Sequence, residues 1–143
     1  MSGLYGAVMM TKTILLISSE SSVREVMQAC LSHLGGWQVF GLASPSDGLQ
    51  YAVISQPDAI LFDLACNGMT FLSFLDALRA QPDTQNTPTV LVANGMKWLD
   101  GRPFQKFGVV GVIDDLSEPA MFPKQIARLL NWDETPQLVE VDQ

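Results

Sequence analysis

The stretch Pro57–Leu64, PDAILFDL, decides the fold of this chain. A proline and an aspartate form a turn that leads into the apolar run Ala59–Leu64, which has the length of a strand buried on both faces. Runs of the same kind occur at Thr13–Ile17, Trp37–Leu42, Thr89–Ala93 and Val109–Ile113. The sequence therefore predicts five strands, and their nearly pure apolar character favours a parallel sheet covered on both faces.

Helical patterns separate these strands. Ser21–Leu34 has apolar residues at helical spacing, Ser22 and Glu25 fit a capping box at its start, and Gly35-Gly36 ends it. The other helices are predicted from Ser44 as N-cap to about Gln56, from near Thr70, over Lys97–Phe107 with interruptions at Gly101 and Pro103, and after a Ser117 cap.

Alternation of strands and helices predicts a doubly wound, flavodoxin-like α/β sandwich with five parallel strands. In such sheets the functional residues lie at the carboxyl ends of the strands. Segments 18–22, 63–68, 93–96 and 114–117 are therefore where a site is expected.

Composition limits the possible partners. The chain has 143 residues, a net charge of −7, 48% hydrophobic residues and 16% charged residues. The apolar content excludes a disordered chain, and the negative charge disfavours direct binding to nucleic acid or to an anionic membrane. No run reaches the roughly 18 apolar residues of a transmembrane helix, and we expect a cytoplasmic protein.

One domain is expected over residues 12–132. Residues 1–11 have no charged region of the secretory type and are interpreted as a leader, with an extra strand as the alternative. Residues 133–143 form an acidic tail. Cys30 and Cys66 lie 36 residues apart without metal-ligand spacing, so they are interpreted as buried free thiols.

The strand segments carry a family resemblance. PDAILFDL (57–64), TPTVLVAN (87–94) and FGVVGVI (107–113) have the order and spacing of strands three to five in CheY-like response-regulator receiver domains, and ILLISSESSVREVM (14–27) is similar to their first strand and helix. The resemblance covers about Thr11–Trp132 and is nearest to small stand-alone receivers. It implies a phosphoacceptor module of bacterial two-component signalling and phosphorelay.

The resemblance also implies a set of functional positions. Receivers hold Mg²⁺ with two acids after the first strand and the phosphoacceptor Asp, and contact the phosphoryl group with a Thr or Ser and a Lys. Asp63 occupies the acceptor position, but Ser18 and Ser19 replace the acidic pair, Ala93 replaces the Thr or Ser, and Asp115 replaces the Lys. Asp63 is thus the one functional position that clearly keeps the residue expected of a receiver.

This degenerate set opposes phosphoryl transfer. A phosphoryl group on Asp63 would face Asp115 without a cation between them, and two such charges repel by roughly 2–4 kcal/mol at intermediate dielectric. Losing two carboxylates removes most of the attraction for a divalent cation. The sequence therefore predicts no Mg²⁺ or other cofactor, no enzymatic activity and a pseudo-receiver that acts by protein–protein interaction.

Two alternatives remain open. In the first, a working receiver is still phosphorylated on Asp63 with an altered metal site, for which Glu20 with Asp63 and Asp115 would provide the cation ligands. In the second, the Ser18–Ser22 loop at a helix N-terminus binds a phosphate or nucleotide, as flavodoxin-type folds do with flavin mononucleotide.

Apolar residues late in the chain indicate a contact surface. Receivers pair or signal through their fourth helix, fifth strand and fifth helix, and the corresponding candidate residues are Trp98, Leu99, Phe104 and Met121. Phe107 and Phe122 are assigned to the core. The expected partner is a histidine kinase, another regulator or an output protein, with a homodimer through this face as a further possibility.

Overall fold

The computed structural model describes residues 11–66 and 68–132, so most of the predicted leader and all of the tail 133–143 lie outside it. Its five strands are β1 (Thr13–Ile17), β2 (Gln38–Leu42), β3 (Ala59–Asp63), β4 (Thr89–Val92) and β5 (Val109–Ile113). Every neighbouring pair is parallel, in the order β2-β1-β3-β4-β5. The predicted doubly wound α/β sandwich is confirmed.

Four α-helices connect or follow the strands. They are α1 (Ser21–Ala29), which continues as a π-helical turn over Cys30–Leu34, α2 (Pro45–Ser55), α3 (Phe71–Ala80) and α4 (Phe122–Leu130). Two 3-10 segments, Arg102–Phe107 and Pro119–Met121, precede β5 and α4. Within residues 11–66 and 68–132, no helix has both the length and the apolar character needed to cross a membrane.

The predicted helix over Lys97–Phe107 is wrong in its first half and is a 3-10 segment in its second. Gly101 lies against β5, where an added Cβ would stand 2.6 Å from Val112 Cγ2. Pro103 removes a backbone donor and cannot occupy a helix interior without loss. The chain therefore crosses from β4 to β5 through turns and a short 3-10 segment.

Of the three predicted helix caps, one is confirmed and two are wrong. Ser44 Oγ accepts from the backbone N–H of Asp47 at 3.2 Å. Thr70, near which the third helix was expected to begin, is also an N-cap, since its Oγ1 accepts from the backbone N–H of Ser73 at 3.1 Å. Ser22 instead lies inside α1, whose N-cap position is Glu20. Ser117 caps no helix, because the Pro119–Met121 turn separates it from α4.

The core lies in two layers, one on each face of the sheet. Alternating strand residues such as Leu16 and Leu61 point toward α1 and α4, whereas Leu15 and Phe62 point toward α2, α3 and the first 3-10 segment. Because the central strand β3 is buried along its whole length, its final residue, Asp63, is carried into the interior at the carboxyl edge of the sheet.

Arg79 connects several segments at the edge of the sheet where β4 and β5 begin, opposite the edge that holds Asp63. Its guanidinium donates to the carbonyl oxygens of Phe107 at 2.7 Å, Thr84 at 2.9 Å and Gln85 at 3.4 Å, and to Thr89 Oγ1 at 3.2 Å. Partial burial lowers the pKa of Arg79, but the guanidinium stays charged at neutral pH. One side chain therefore joins the end of α3 to the segments that enter β4 and β5.

Replacing Arg79 by alanine will destabilise the fold, since it leaves partly buried carbonyl groups without their charged donor. We expect a loss of roughly 2–3 kcal/mol in the free energy of unfolding, measured by urea denaturation. The matched control is Arg102→Ala, which removes an exposed arginine paired with Asp100 and is expected to leave the midpoint unchanged. Equal midpoints for the Arg79 variant and the parent would contradict this role.

Candidate functional site

Asp63 is the centre of the candidate site. It ends β3, between β1 and β4, and is only 7% exposed. Its Oδ2 accepts a hydrogen bond from Ser18 Oγ at 2.9 Å, and its Oδ1 accepts one from the backbone N–H of Ala65 at 3.0 Å. Each carboxylate oxygen therefore already has a donor from the protein.

Ser18 is fixed directly opposite this carboxylate. It follows β1, is 0% exposed, and its backbone N–H donates to the Leu42 carbonyl at 3.0 Å. Its own carbonyl accepts from Arg24 Nη1 at 2.6 Å. Ser18 thus lies beside the phosphoacceptor-like residue, at the position that the resemblance assigns to a metal-binding acid.

Arg24 belongs to the site but was not among the residues selected from the sequence. It lies on α1, six positions after Ser18, and its aliphatic stem packs over Gly41 of β2. No motif marks it. The available signal was its position one turn into the helix that follows β1, which directs its side chain back toward the strand end.

The other two replaced positions contribute no cation. Ala93 is buried after β4 and donates its backbone N–H to the Ile113 carbonyl at 2.8 Å. Asp115 is exposed and accepts from the backbone N–H of Ser117 at 2.9 Å. Hydrogen bonds from Ser117 lower the pKa of Asp115, and Lys97 lowers it further, so Asp115 is negative at neutral pH.

The residues present do not match the ligand set of Mg²⁺, which is mainly carboxylates and water in a tight octahedron. Glu20 is exposed at the N-cap of α1, and its side chain makes no capping bond. Among the described residues, no three His, Cys, Asp or Glu side chains form a group suited to a metal, so Glu20, Asp63 and Asp115 are not brought together as one.

Cys66 also lies at this site, three residues after Asp63. Both cysteines are free, but they are partly buried and not fully buried as predicted. Burial raises the pKa of Cys66, and the Asp63 carboxylate adds to that effect. Hydrogen bonds with Ser19 and the charge of Arg24 act in the opposite direction but do not reverse the shift.

The four candidate interface residues divide into two pairs. Trp98 is 77% exposed and Met121 is 43% exposed. Leu99 and Phe104 are partly buried against the core, and the Phe104 ring meets Phe71 edge-on with the centroids 5.8 Å apart. Of the two residues assigned to the core, Phe122 is buried, whereas Phe107 only packs against it.

Comparisons with known proteins identify the fold. No family model and no curated protein matches the chain. A chemotaxis response regulator, CheY4 of Vibrio cholerae, is similar in structure with a TM-score of 0.73 and 21% identity, over 83% of this chain and 98% of that one. A putative response regulator from Chloroflexus aurantiacus has a TM-score of 0.74 and 20% identity, over 85% and 98%.

A third similar structure is the receiver domain of a sensor histidine kinase from Pseudomonas aeruginosa, which has magnesium coordinated in its active site cleft. It has a TM-score of 0.70 and 22% identity, over 85% of this chain and 98% of that one. The chain therefore has the fold of CheY-like response-regulator receiver domains, as the strand segments predicted.

Cys66 provides a probe of the site's electrostatics. In a Cys30→Ser background, alkylation of Cys66 will be slower at neutral pH than that of an unperturbed thiol, because its raised pKa reduces the thiolate fraction. Asp63→Asn will lower the pKa of Cys66 by removing a negative neighbour, and Arg24→Ala will raise it. The measurement is the pH profile of iodoacetamide labelling by mass spectrometry, and a shift of the opposite sign in either variant would contradict this arrangement.

Proposed function

We propose that this chain is a pseudo-receiver of bacterial two-component signalling, a cytoplasmic and non-enzymatic module that acts by protein contact without phosphorylation of Asp63. The observation that carries the proposal is the hydrogen bond from Ser18 Oγ to Asp63 Oδ2 at 2.9 Å. The donor is a neutral hydroxyl at a position where the resemblance requires a metal-binding carboxylate, and it occupies one of the two carboxylate oxygens of Asp63.

The charges at three positions around Asp63 support the proposal. Phosphoryl transfer depends on positive groups that neutralise the phosphoryl oxygens, because the protein has little covalent chemistry to perform. Ala93 has no side-chain donor, and Asp115 is negative where the resemblance requires a lysine. Arg24, the cation found beside Ser18, already donates to the Ser18 carbonyl.

Loss of Mg²⁺ binding follows from the same residues. Asp63 supplies one carboxylate, and the two serines that replace the acidic pair supply no charge. A small, strongly hydrated dication gives up water reluctantly and gains little from a single carboxylate whose oxygens already accept hydrogen bonds. Signalling then requires a contact surface that does not depend on the occupancy of this pocket.

The exposed side chains of Trp98 and Met121 fit that role. Both side chains extend into solvent, and aromatic residues and methionine are enriched at protein interfaces. The proposed partner is a histidine kinase, another regulator or an output protein. Self-association through the face formed by the Arg102–Phe107 segment, β5 and α4 is the second candidate contact.

A working receiver is the main alternative, and the buried position of Asp63 at the end of β3 is the observation that favours it. A phosphate or nucleotide site in the Ser18–Ser22 loop has less support. The Ser18 hydroxyl is buried and donates to Asp63, so it is not free for an anion.

Acetyl phosphate with Mg²⁺ separates these alternatives. We expect no stoichiometric phosphorylation, because the site lacks the cations that the reaction requires. Intact-mass measurement after incubation tests this, with Asp63→Asn as the control for modification elsewhere. Addition of one phosphoryl group to the parent but not to Asp63→Asn would overturn the proposal. Beryllofluoride with Mg²⁺ should likewise leave the tryptophan fluorescence unchanged.

The proposed contact surface is tested with Trp98→Ala combined with Met121→Ser. These substitutions remove exposed apolar area, so we expect recovery of the partner with the tagged protein to fall at least severalfold while the unfolding midpoint is retained. Ile54→Ser, at an exposed residue on α2, is the matched control. Undiminished recovery with the double variant would exclude this surface.

A further inference from the structure

The outer edge of β5 is an open strand edge. Among the described residues β5 pairs only with β4, and the outward N–H and C=O groups of Val110–Val112 have no protein partner. The pairing jumps from Thr89–Val109 to Val90–Gly111, so Val110 is an extra, bulged residue, and it is 39% exposed. Such an edge can accept another strand.

Two grooves flank this edge, one on each face of the sheet. The groove beside the first 3-10 segment has a volume of about 190 Å³ and is lined by Gly101, Arg102, Gln105 and residues 109–112. The groove beside α4 has a volume of about 160 Å³ and is lined by residues 112–115, Gln125, Arg128 and Leu129. Side chains of an added strand would alternate between the two grooves.

The two grooves differ in chemistry. Valine and glycine dominate the first groove. The second is lined by Arg128 and by Gln125, whose Oε1 is buried without a hydrogen-bond partner among the described residues, and by Asp114 and Asp115 where β5 ends. The grooves therefore fit a strand with apolar side chains on one face and, on the other, an acidic side chain beside Arg128 that lies away from Asp114 and Asp115.

Charge sets the direction of such a strand. Five of the eight basic residues follow residue 96, although the whole chain has a net charge of −7. Lys106 precedes β5 in sequence, whereas Asp114 and Asp115 follow it. An acidic strand avoids Asp114 and Asp115 when its negative end lies beside the start of β5. An antiparallel orientation is therefore favoured for a strand whose acids come last.

The chain contains a segment with this pattern. In residues 137–142, QLVEVD, Val139 and Val141 alternate with Leu138, Glu140 and Asp142, and residues 133–143 contain no basic residue. We propose that residues 137–142 of a second copy of this chain bind antiparallel along the β5 edge. Val139 and Val141 then enter the valine-lined groove, and Glu140 faces Arg128.

A chain cannot readily supply this strand to its own β5. α4 shares a face of the sheet with α1, and on that face a right-handed crossover leads from β5 toward β4, away from the open edge. An antiparallel strand would first have to return along the sheet.

Sedimentation velocity of the full chain over a broad concentration series tests the contact. We expect concentration-dependent association that is lost in Val139→Asp with Val141→Asp and in Val110→Asp. Ile54→Asp, at an exposed residue on α2 far from this edge, is the matched control and should associate like the parent.

Exchanging the charges of Arg128 and Glu140 tests whether these two residues face each other in the proposed strand pairing. Arg128→Glu and Glu140→Lys should each weaken association by about tenfold in Kd, and the combined variant should recover most of the loss. Hydrogen exchange of the β5 amides should slow with rising concentration in the parent but not in the Val139/Val141 variant.

Several results would overturn the proposal. These are a monomer at every concentration, association that survives the Val139/Val141 substitution, equal loss with Ile54→Asp, and absence of charge-exchange recovery. Loss with Val110→Asp but not with the Val139/Val141 variant would show that β5 edges pair with each other, which also excludes it. Phosphorylation of Asp63 would refute the proposed function and leave these results unchanged, so the two failures are distinguishable.

Discussion

A carboxylate at the end of the central, buried strand has to be stabilised where the strand places it. β3 lies in the middle of the sheet with helices on both faces, so Asp63 cannot turn into bulk water. The Ser18 hydroxyl and the Ala65 N–H donate to its two oxygens. Ser18 is held in turn by Leu42 of β2 and by Arg24 of α1, which links the site to the first half of the domain.

This network also reduces the cost of burying the carboxylate. An unpaired buried charge is costly, whereas hydrogen bonds to the ionised form reduce that cost. A serine at position 18 is small enough to occupy the space after β1 and polar enough to donate to Asp63. The same hydrogen bond therefore links the residue that follows β1 to the last residue of β3.

The strands could be predicted from the sequence because each is a short apolar run bounded by turn residues, and β5 agrees with its prediction to the residue. The buried side of the first helix was harder to predict. Val26 and Leu34 belong to its apolar stripe, yet both are exposed. Few side chains of α1 are buried, and its last turn is π-helical. Gly101 and Pro103 were local signs of an interrupted helix before β5, but the closeness of Gly101 to Val112 is tertiary and could not be predicted from the sequence.

The site could be predicted only in part, for a related reason. Topology predicted that Asp63 and Ser18 lie at the edge where the strands end, and the resemblance to receiver domains gave each its position in the site. Arg24 and Cys66 enter the site through side-chain direction and loop path, which one sequence does not define. Trp98 is exposed, as an interface candidate must be, but the packing of Phe104 on Phe71 depends on how the 3-10 segment lies on the sheet.

The two ends of the domain meet at one corner. Lys12 lies over the ring of Trp132, with its Nζ 5.3 Å from the centroid, and Trp132 meets Trp37 edge-on at 5.4 Å. Strands begin at this edge of the sheet, and Asp63 lies at the edge where they end. A tether fused before Lys12 or after Trp132 would therefore hang from the side of the molecule remote from Asp63. Linking this domain to a surface or to a fluorescent protein would leave the Asp63 edge facing outward.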